Sequence, residues 1–207
     1  MKYKVAYIDE DEADIRRFQR FAHNYFEIVK IIPQQVIENT LTEILENNVD
    51  AVIVDFVLSE LDEKIHYNGA NLVSLILEER EWFPVFILTS YEDDAVSKGD
   101  DVNIVYEKRE MEDGEKFLER VKTQIDKYWY KLEETEKRIL FLIEESKTRK
   151  LNAFEEEEII KLDSIIEKSL DKKSQIPDKI RKDTEADELS LLLKKFDELT
   201  KSLGNKE

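Results

Sequence analysis

Four short apolar runs, each followed by polar or charged residues, constrain the fold of this 207-residue chain most strongly. The runs cover residues 5–8, 51–54, 85–88 and 104–106. Each run is too short for a helix and rich in β-branched or aromatic residues, so each predicts a buried strand. Helical patterns lie between the runs, and alternating strands and helices predict a parallel sheet with helices on both faces.

The residues that follow these runs carry the chemistry of the sequence. In chain order they are Asp9, Glu10 and Asp11, then Asp55, then Thr89, and finally Lys108. Ligands of open α/β sheets bind at the carboxyl ends of the strands. We therefore expect carboxylates, a hydroxyl and an ammonium group to meet in one pocket at that edge.

The ordered set resembles the receiver domain of bacterial two-component response regulators, and the resemblance covers residues 1–126. It implies a flavodoxin-like, doubly wound sheet of five parallel strands. By resemblance, Asp55 is the phosphoacceptor, Thr89 donates a hydrogen bond to a phosphoryl oxygen, and Lys108 neutralises another oxygen as a point charge. A carboxylate suits this role because it can attack phosphorus and form an acyl phosphate without a general base.

The resemblance also implies a Mg²⁺ ion held by Asp55 and by the backbone carbonyl of Val57. The remaining protein ligands would be one or two of the three acids Asp9, Glu10 and Asp11. Mg²⁺ prefers hard oxygen ligands and keeps several waters, so this small set is sufficient. Counting from the end of the first run selects Asp9 and Glu10, whereas counting back from the predicted first helix selects Glu10 and Asp11. Because acids also favour the positive N terminus of a helix, the sequence leaves this choice open.

The loop after Asp55 departs from the usual pattern of that family, in which a Pro and a Gly follow the phosphoacceptor closely. Here Gly69 comes 14 residues after Asp55, and residues 59–68 intervene. The pair Asn68-Gly69 predicts a turn before the next helix. The added residues either contact a partner beside the site or form a surface insertion.

Cysteine is absent from the sequence, which excludes a disulfide scaffold and a thiolate metal site. No apolar run approaches the ~20 residues of a membrane span, and no signal-peptide pattern opens the chain. We therefore expect a cytoplasmic protein without a membrane partner. The length and the 41% hydrophobic content favour one receiver core and a smaller second module.

Charge separates the two predicted domains. Residues 1–126 hold 14 Lys and Arg against 29 Asp and Glu, a net charge of −15, whereas residues 127–207 hold 18 against 20. An acidic surface repels nucleic acid, whose binding requires clustered Lys and Arg. We therefore expect no nucleic-acid partner.

Residues 127–207 predict a helical output or interaction domain that continues from the last receiver helix. One helix is predicted from about residue 112 to residue 148, because neither Gly nor Pro occurs in this stretch after Gly114. Its apolar residues follow heptad spacing, with Thr135 interrupting the second row: Leu118, Ile125, Leu132 and Ile139 in the first, and Val121, Tyr128 and Leu142 in the second. The rows predict a homodimer through the segment from Leu118 to Leu142. Alternatively, they pack on the receiver sheet at first and on other helices beyond Tyr128.

Two further helices are predicted. Asn152, with Glu155 three residues later, is typical of a helix N-cap. A polar connection follows over residues 171–183, and a last helix then carries apolar residues as far as Leu203. This part of the sequence lacks His, a Gly-rich phosphate loop and an Arg-rich helix, and its apolar stripes indicate a helix bundle or a partner-binding surface.

These features predict a response regulator that is phosphorylated on Asp55 by a histidine kinase or a phosphotransfer protein. Output is expected through contacts of the C-terminal helices with an unidentified protein effector. We expect no enzymatic activity except, at most, slow self-dephosphorylation. Three alternatives stay open: a transcription factor with a divergent helical DNA-binding domain, an enzyme module regulated by the receiver, and a receiver that serves only as a dimer scaffold.

Overall fold

The computed structural model describes residues 2–90, 105–111 and 115–169. These residues form, in chain order, β1 Tyr3–Ile8, α1 Glu12–Ala22, β2 Phe26–Ile31, α2 Ile37–Glu46, β3 Ala51–Asp55, α3 Gly69–Glu79, β4 Val85–Thr89, β5 Val105–Glu107, α4 Glu115–Thr148 and α5 Ala153–Ser169. A 3-10 turn, Lys108–Met111, follows β5. The predicted connection over residues 171–183 and the predicted last helix lie outside the described residues.

The five strands form one sheet in the order β2-β1-β3-β4-β5, and every neighbouring pair is parallel. The chain starts inside the sheet, adds one strand on one side and then crosses to the other side. This is the doubly wound, flavodoxin-like topology. The four predicted runs correspond to β1, β3, β4 and β5, so the prediction of the fold is confirmed.

Helices cover both faces of the sheet. Successive side chains of a strand point to opposite faces, so each strand contributes apolar residues to both. On one face, α1 and α4 pack against strand residues such as Val5 and Ile53. On the other face, α2 and α3 pack against residues such as Ala6 and Val54. Apolar groups therefore fill the two faces, and the polar groups of the strands collect at the strand ends.

The long helix predicted from the sequence is confirmed as α4, although residues 112–114 lie outside the described residues. Most members of the two heptad rows are buried inside the chain: Leu118, Val121, Ile125, Tyr128, Ile139 and Leu142. The first of them pack on the sheet. Farther along, α4 runs beside α5, and Arg138 donates two hydrogen bonds of 2.8 Å to Glu158. Packing on the sheet and then on another helix is thus confirmed, and the homodimer stays a prediction.

Helix α5 begins where the sequence indicates. The Asn152 side chain accepts hydrogen bonds of 3.0 Å from the backbone N–H groups of Phe154 and Glu155, and Glu155 accepts one from the N–H of Asn152. This capping box confirms the predicted N-cap. At the other end, the N–H of Glu81 donates to the carbonyl of Lys168 at 2.7 Å. The end of α5 therefore contacts the loop between α3 and β4.

The described residues all lie in one compact unit, and helices α4 and α5 belong to it together with the sheet. The division into a receiver of residues 1–126 and an output domain of residues 127–207 stays a prediction about function. None of the described helices is both long and apolar enough to cross a membrane.

Candidate functional site

Four polar residues meet at the carboxyl edge of the sheet. Asp55 and Thr89 are the last residues of β3 and β4. Asp9 directly follows β1, and Lys108 directly follows β5. The side chains of Asp9, Asp55 and Thr89 are buried. The strand order thus places four of the residues that the sequence predicted for one pocket at the same edge of the sheet.

Lys108 bridges three carboxylates. Its Nζ atom lies 2.9 Å from Asp55 Oδ1, 2.8 Å from Asp14 Oδ2 and 3.2 Å from Asp9 Oδ2. Burial opposes the charge on the lysine, but the three carboxylates, Asp55 foremost, outweigh it and raise the pKa of Lys108. Lys108 therefore stays charged and holds the carboxylates together.

Asp9 is oriented by hydrogen bonds to both of its oxygens. Oδ2 accepts a hydrogen bond from the Tyr7 hydroxyl at 2.9 Å, and Oδ1 accepts one from the backbone N–H of Asp11 at 2.9 Å. The Tyr7 ring is stacked on Phe18, with 4.1 Å between the ring centroids. Burial and the neighbouring Asp9 carboxylate raise the pKa of Tyr7, so the tyrosine stays a hydrogen-bond donor.

The three acids after β1 occupy different positions. Asp11 is the N-cap of α1, where its Oδ1 accepts a hydrogen bond from the backbone N–H of Ala13 at 2.7 Å. Asp9 and Glu10 lie beside Asp55, and one carboxylate oxygen of each of these three residues lies within 4.8 Å of the others. The structure thus groups Asp9 and Glu10 with Asp55. A metal-binding role of Asp11 stays a prediction.

Glu10 has one satisfied and one unsatisfied oxygen. Oε1 accepts a hydrogen bond from the backbone N–H of Glu60 at 3.1 Å. Oε2 is buried and has no hydrogen-bond partner among the described residues. Burial raises the pKa of this carboxyl group. An unpaired buried acceptor beside two further carboxylates fits a hard cation such as Mg²⁺, which would supply the missing partner.

The carboxyl group of Asp55 is strongly perturbed. Burial raises the pKa of Asp55 to about 7, against the opposing effect of Lys108 and with a further increase from the nearby acids. In the folded protein Asp55 therefore ionises near neutral pH, well above the ~3.9 of an unfolded aspartate. Ionised Asp55 lowers the stability of the fold, and a bound cation would offset this effect.

Asp55→Asn is expected to stabilise the metal-free fold at alkaline pH. Protonated Asp55 favours the folded state, so its contribution is present below the unfolded pKa and is lost as the pH rises through about 7. Asparagine does not titrate and shows no such loss. The unfolding free energy of Asp55→Asn minus that of the wild type should therefore be ~2 kcal/mol larger at about pH 8.5 than at about pH 5.5. Urea unfolding in EDTA measures this gain, and a gain independent of pH would contradict the assignment.

Residues 56–68 form a packed loop beside the pocket. Leu58 and Ile65 are buried in the core. The Tyr67 hydroxyl donates a hydrogen bond of 2.7 Å to a backbone carbonyl in the connection between β2 and α2. Leu61, in contrast, is 69% exposed. The loop is therefore anchored near both ends and presents its middle to solvent, so both alternatives predicted for it stay open.

Gly69 ends this loop directly against the backbone of Asp55. Its N–H donates to the carbonyl of Phe56 at 2.9 Å, and an added Cβ would lie 2.2 Å from the carbonyl oxygen of Asp55. Any residue other than glycine would therefore displace the backbone. Asn68 and Asn71 form a capping box at the start of α3. The turn predicted at Asn68-Gly69 thus lies directly against the backbone of Asp55 and Phe56.

One residue of the pocket was not identified from the sequence. Asp14 lies in the first turn of α1 and pairs with Lys108. Its partner Lys108 is 94 residues away, so the sequence around Asp14 does not indicate the contact. The predicted roles of the Thr89 hydroxyl and of the Val57 carbonyl concern a phosphoryl group and an ion, and they stay predictions.

No family model matches this chain, and no curated protein matches it. Among solved structures, it is similar to the BeF3-activated DrrB receiver domain, with 22% identity, 61% of this chain and 99% of that chain covered, and a TM-score of 0.47. It is also similar to a CheY-like receiver domain protein of Methanospirillum hungatei JF-1, with 16% identity and a TM-score of 0.45. That match covers 61% of this chain and 96% of the other. A CheY-like receiver domain of Methylobacillus flagellatus is 16% identical, with a TM-score of 0.40. That match covers 52% of this chain and 87% of the other. The fold itself is established by the strand order and pairing.

Proposed function

We propose that the chain is a response regulator that accepts a phosphoryl group on Asp55 from a histidine kinase or a phosphotransfer protein. The observation that carries this proposal is the contact of 2.9 Å between Asp55 and Lys108 in a buried pocket of further acids. A structural ion pair needs one carboxylate, whereas Lys108 contacts three and Glu10 lies beside them. Such an excess of buried negative charge is costly for folding and suits the binding of a cation and a phosphoryl group.

In the proposed transfer, ionised Asp55 is the nucleophile. One of its carboxylate oxygens attacks the phosphorus of a phosphohistidine, and an O–P bond forms as the P–N bond breaks. The imidazole keeps the bonding electron pair and leaves as a neutral ring, because its other nitrogen carries a proton. Lys108 then neutralises one phosphoryl oxygen of the aspartyl phosphate, and the Thr89 hydroxyl donates a hydrogen bond to another.

Asp9, Glu10 and Asp55 are the side chains that would hold Mg²⁺, with the Val57 carbonyl as a further oxygen ligand. When bound, Mg²⁺ neutralises negative charge on the phosphoryl oxygens and on these carboxylates. The chain orients two of the acids in advance. Asp9 receives a hydrogen bond from Tyr7, and Glu10 receives one from the backbone of the loop.

Output is proposed to reach an unidentified protein effector through α4. Lys108 begins the 3-10 turn after β5, and α4 starts shortly afterwards at Glu115. A shift of Lys108 from the carboxylates toward a phosphoryl group would therefore act close to the start of α4. In this proposal the protein is a cytoplasmic phosphoacceptor with at most slow self-dephosphorylation, and it has no nucleic-acid partner. A homodimer through the Leu118–Leu142 segment would require the buried rows of α4 to leave their present packing.

Phosphoryl uptake from a small donor tests this function. The 207-residue protein with Mg²⁺ and acetyl phosphate should gain one phosphoryl group in intact mass, because Asp55 can attack a small acyl phosphate directly. Asp55→Asn and an excess of EDTA should each abolish the gain. Asp62→Asn, which makes the same chemical change in the loop, should keep it. Uptake that persists in Asp55→Asn would contradict the proposal.

A further inference from the structure

Glu10 connects the carboxylate pocket with the loop of residues 56–68 through its two oxygens. Oε1 accepts the hydrogen bond of 3.1 Å from the backbone N–H of Glu60. Oε2 is buried and has no hydrogen-bond partner among the residues that the structure describes. An oxygen of this carboxylate lies within 4.8 Å of oxygens of Asp9 and Asp55. One carboxylate thus accepts a hydrogen bond from the loop and also lies beside the carboxylates of Asp9 and Asp55.

Among the described residues, the other hydrogen bonds of the middle of the loop lie within the loop itself. The N–H of Lys64 donates to the Asp62 side chain at 3.0 Å, and the N–H of Ile65 donates to the Asp62 carbonyl at 3.0 Å. These bonds shape a local turn without joining it to the sheet. The bond from Glu60 to Glu10, in contrast, spans 50 residues of sequence. It ties the middle of the loop to the edge of the sheet.

We propose that Glu10 is a positioning residue that couples cation binding in the pocket to the order of the loop around Glu60. The inference rests on the proposed function, which supplies the cation. A cation at Glu10 fixes the carboxylate and so favours the hydrogen bond from Glu60, and that hydrogen bond in turn holds the carboxylate ready for the cation. Thermodynamic linkage requires the two effects to be of equal size.

The coupling reaches a part of the surface that a partner can contact. Leu61 directly follows Glu60 and is 69% exposed. The position of Leu61 therefore depends on whether the Glu60 hydrogen bond is formed. Occupancy of the pocket would in this way set the conformation of the loop residues that a protein phosphodonor meets.

Amide hydrogen exchange in the 207-residue wild-type protein measures this coupling directly. Saturating Mg²⁺ should slow exchange of the Glu60 amide about tenfold, the size of effect that outer-shell hydrogen bonds have on metal affinity. The Lys64 amide is an internal control, because its hydrogen bond stays within the loop. Its exchange should change less than about twofold by the same linkage.

Two variants of Glu60 test the reciprocal effect. Glu60→Pro removes the N–H donor and should weaken Mg²⁺ binding about tenfold in calorimetric titration. Glu60→Ala keeps the N–H and should bind Mg²⁺ within about twofold of the wild type, because it changes an exposed side chain only. Circular dichroism verifies that both variants fold. The exchange measurement uses the wild type and decides the matter if Glu60→Pro does not fold.

The outcomes separate this inference from the proposed function. If the wild type binds Mg²⁺ while exchange of the Glu60 amide is unchanged, the coupling is wrong and the phosphoacceptor proposal stands. If Glu60→Ala weakens Mg²⁺ binding as much as Glu60→Pro does, the effect comes from the side chain and the coupling is again wrong. If the wild type binds no Mg²⁺ at all, the proposed function is overturned and the coupling with it.

Discussion

Gly69→Ala is expected to destabilise the fold by ~3 kcal/mol, near the upper end of the usual cost of overpacking. The added Cβ would lie 2.2 Å from the carbonyl oxygen of Asp55. Neither backbone segment moves freely, because Gly69 donates to the Phe56 carbonyl and Phe56 donates to the Leu88 carbonyl at 2.8 Å. Relief of the clash would therefore disturb the junction of β3 with β4 and displace Asp55. Phosphoryl uptake from acetyl phosphate should become up to about a hundredfold slower.

Urea unfolding and uptake kinetics measure both effects of Gly69→Ala. Ser74→Ala is a matched control, because Ser74 lies exposed on the same helix and donates only to the carbonyl of Ala70. That control should stay within ~0.5 kcal/mol of the wild type. A Gly69→Ala protein with wild-type stability and wild-type uptake would show that α3 does not approach Asp55 as closely as described.

Lys108→Met is expected to lower the unfolding free energy by ~3 kcal/mol at about pH 8, because it removes one partner of a buried charge cluster. Asp9, Asp14 and Asp55 would then lie together without the ammonium group that now contacts all three. Lowering the pH should reduce the loss. Lys108 lowers the pKa of Asp55, which is about 7 in the wild type. Without Lys108 this pKa rises further, so Asp55 takes up a proton at a higher pH.

Two comparisons identify the source of the Lys108 effect. Lys137→Met removes a lysine that is 60% exposed and paired with Glu133 on α4, and it should cost less than ~1 kcal/mol. The double variant Asp55→Asn/Lys108→Met should be more stable than Lys108→Met alone, because one of the uncompensated carboxylates is gone. Equal losses in Lys108→Met and Lys137→Met would contradict the central position of Lys108.

The pocket was predictable because each of its strands is marked twice, by an apolar run and by the polar residue at its end. Strand β2 has no continuous apolar run. It lies at the edge of the sheet, and only its terminal residues Phe26 and Ile31 are buried. Glu27 and Lys30 lie between them on its exposed positions. Strand β2 therefore carries too few buried apolar residues in succession to be recognised as a continuous run.

Other features of the site depend on contacts between distant residues. The positions of the three acids after β1 depend on where α1 starts, and Asp11 is the N-cap of that helix. Asp14 joins the pocket through Lys108, which is 94 residues away in sequence. The heptad rows of α4 indicated an apolar stripe, but periodicity does not show whether a partner chain, the sheet or α5 covers it. Such pairings are decided by the tertiary packing.

The location of the phosphoryl group distinguishes Asp55 from the other carboxylates of the pocket. The 207-residue protein would be incubated with Mg²⁺ and acetyl phosphate, reduced with borohydride, which converts an aspartyl phosphate to homoserine, and mapped by peptide mass spectrometry. We expect reduction at position 55 alone, and none in EDTA, because Asp55 is the buried carboxylate that Lys108 contacts at 2.9 Å. Reduction at Asp9 or at Asp11 instead of Asp55, or at no carboxylate, would contradict the proposal that Asp55 is the phosphoacceptor.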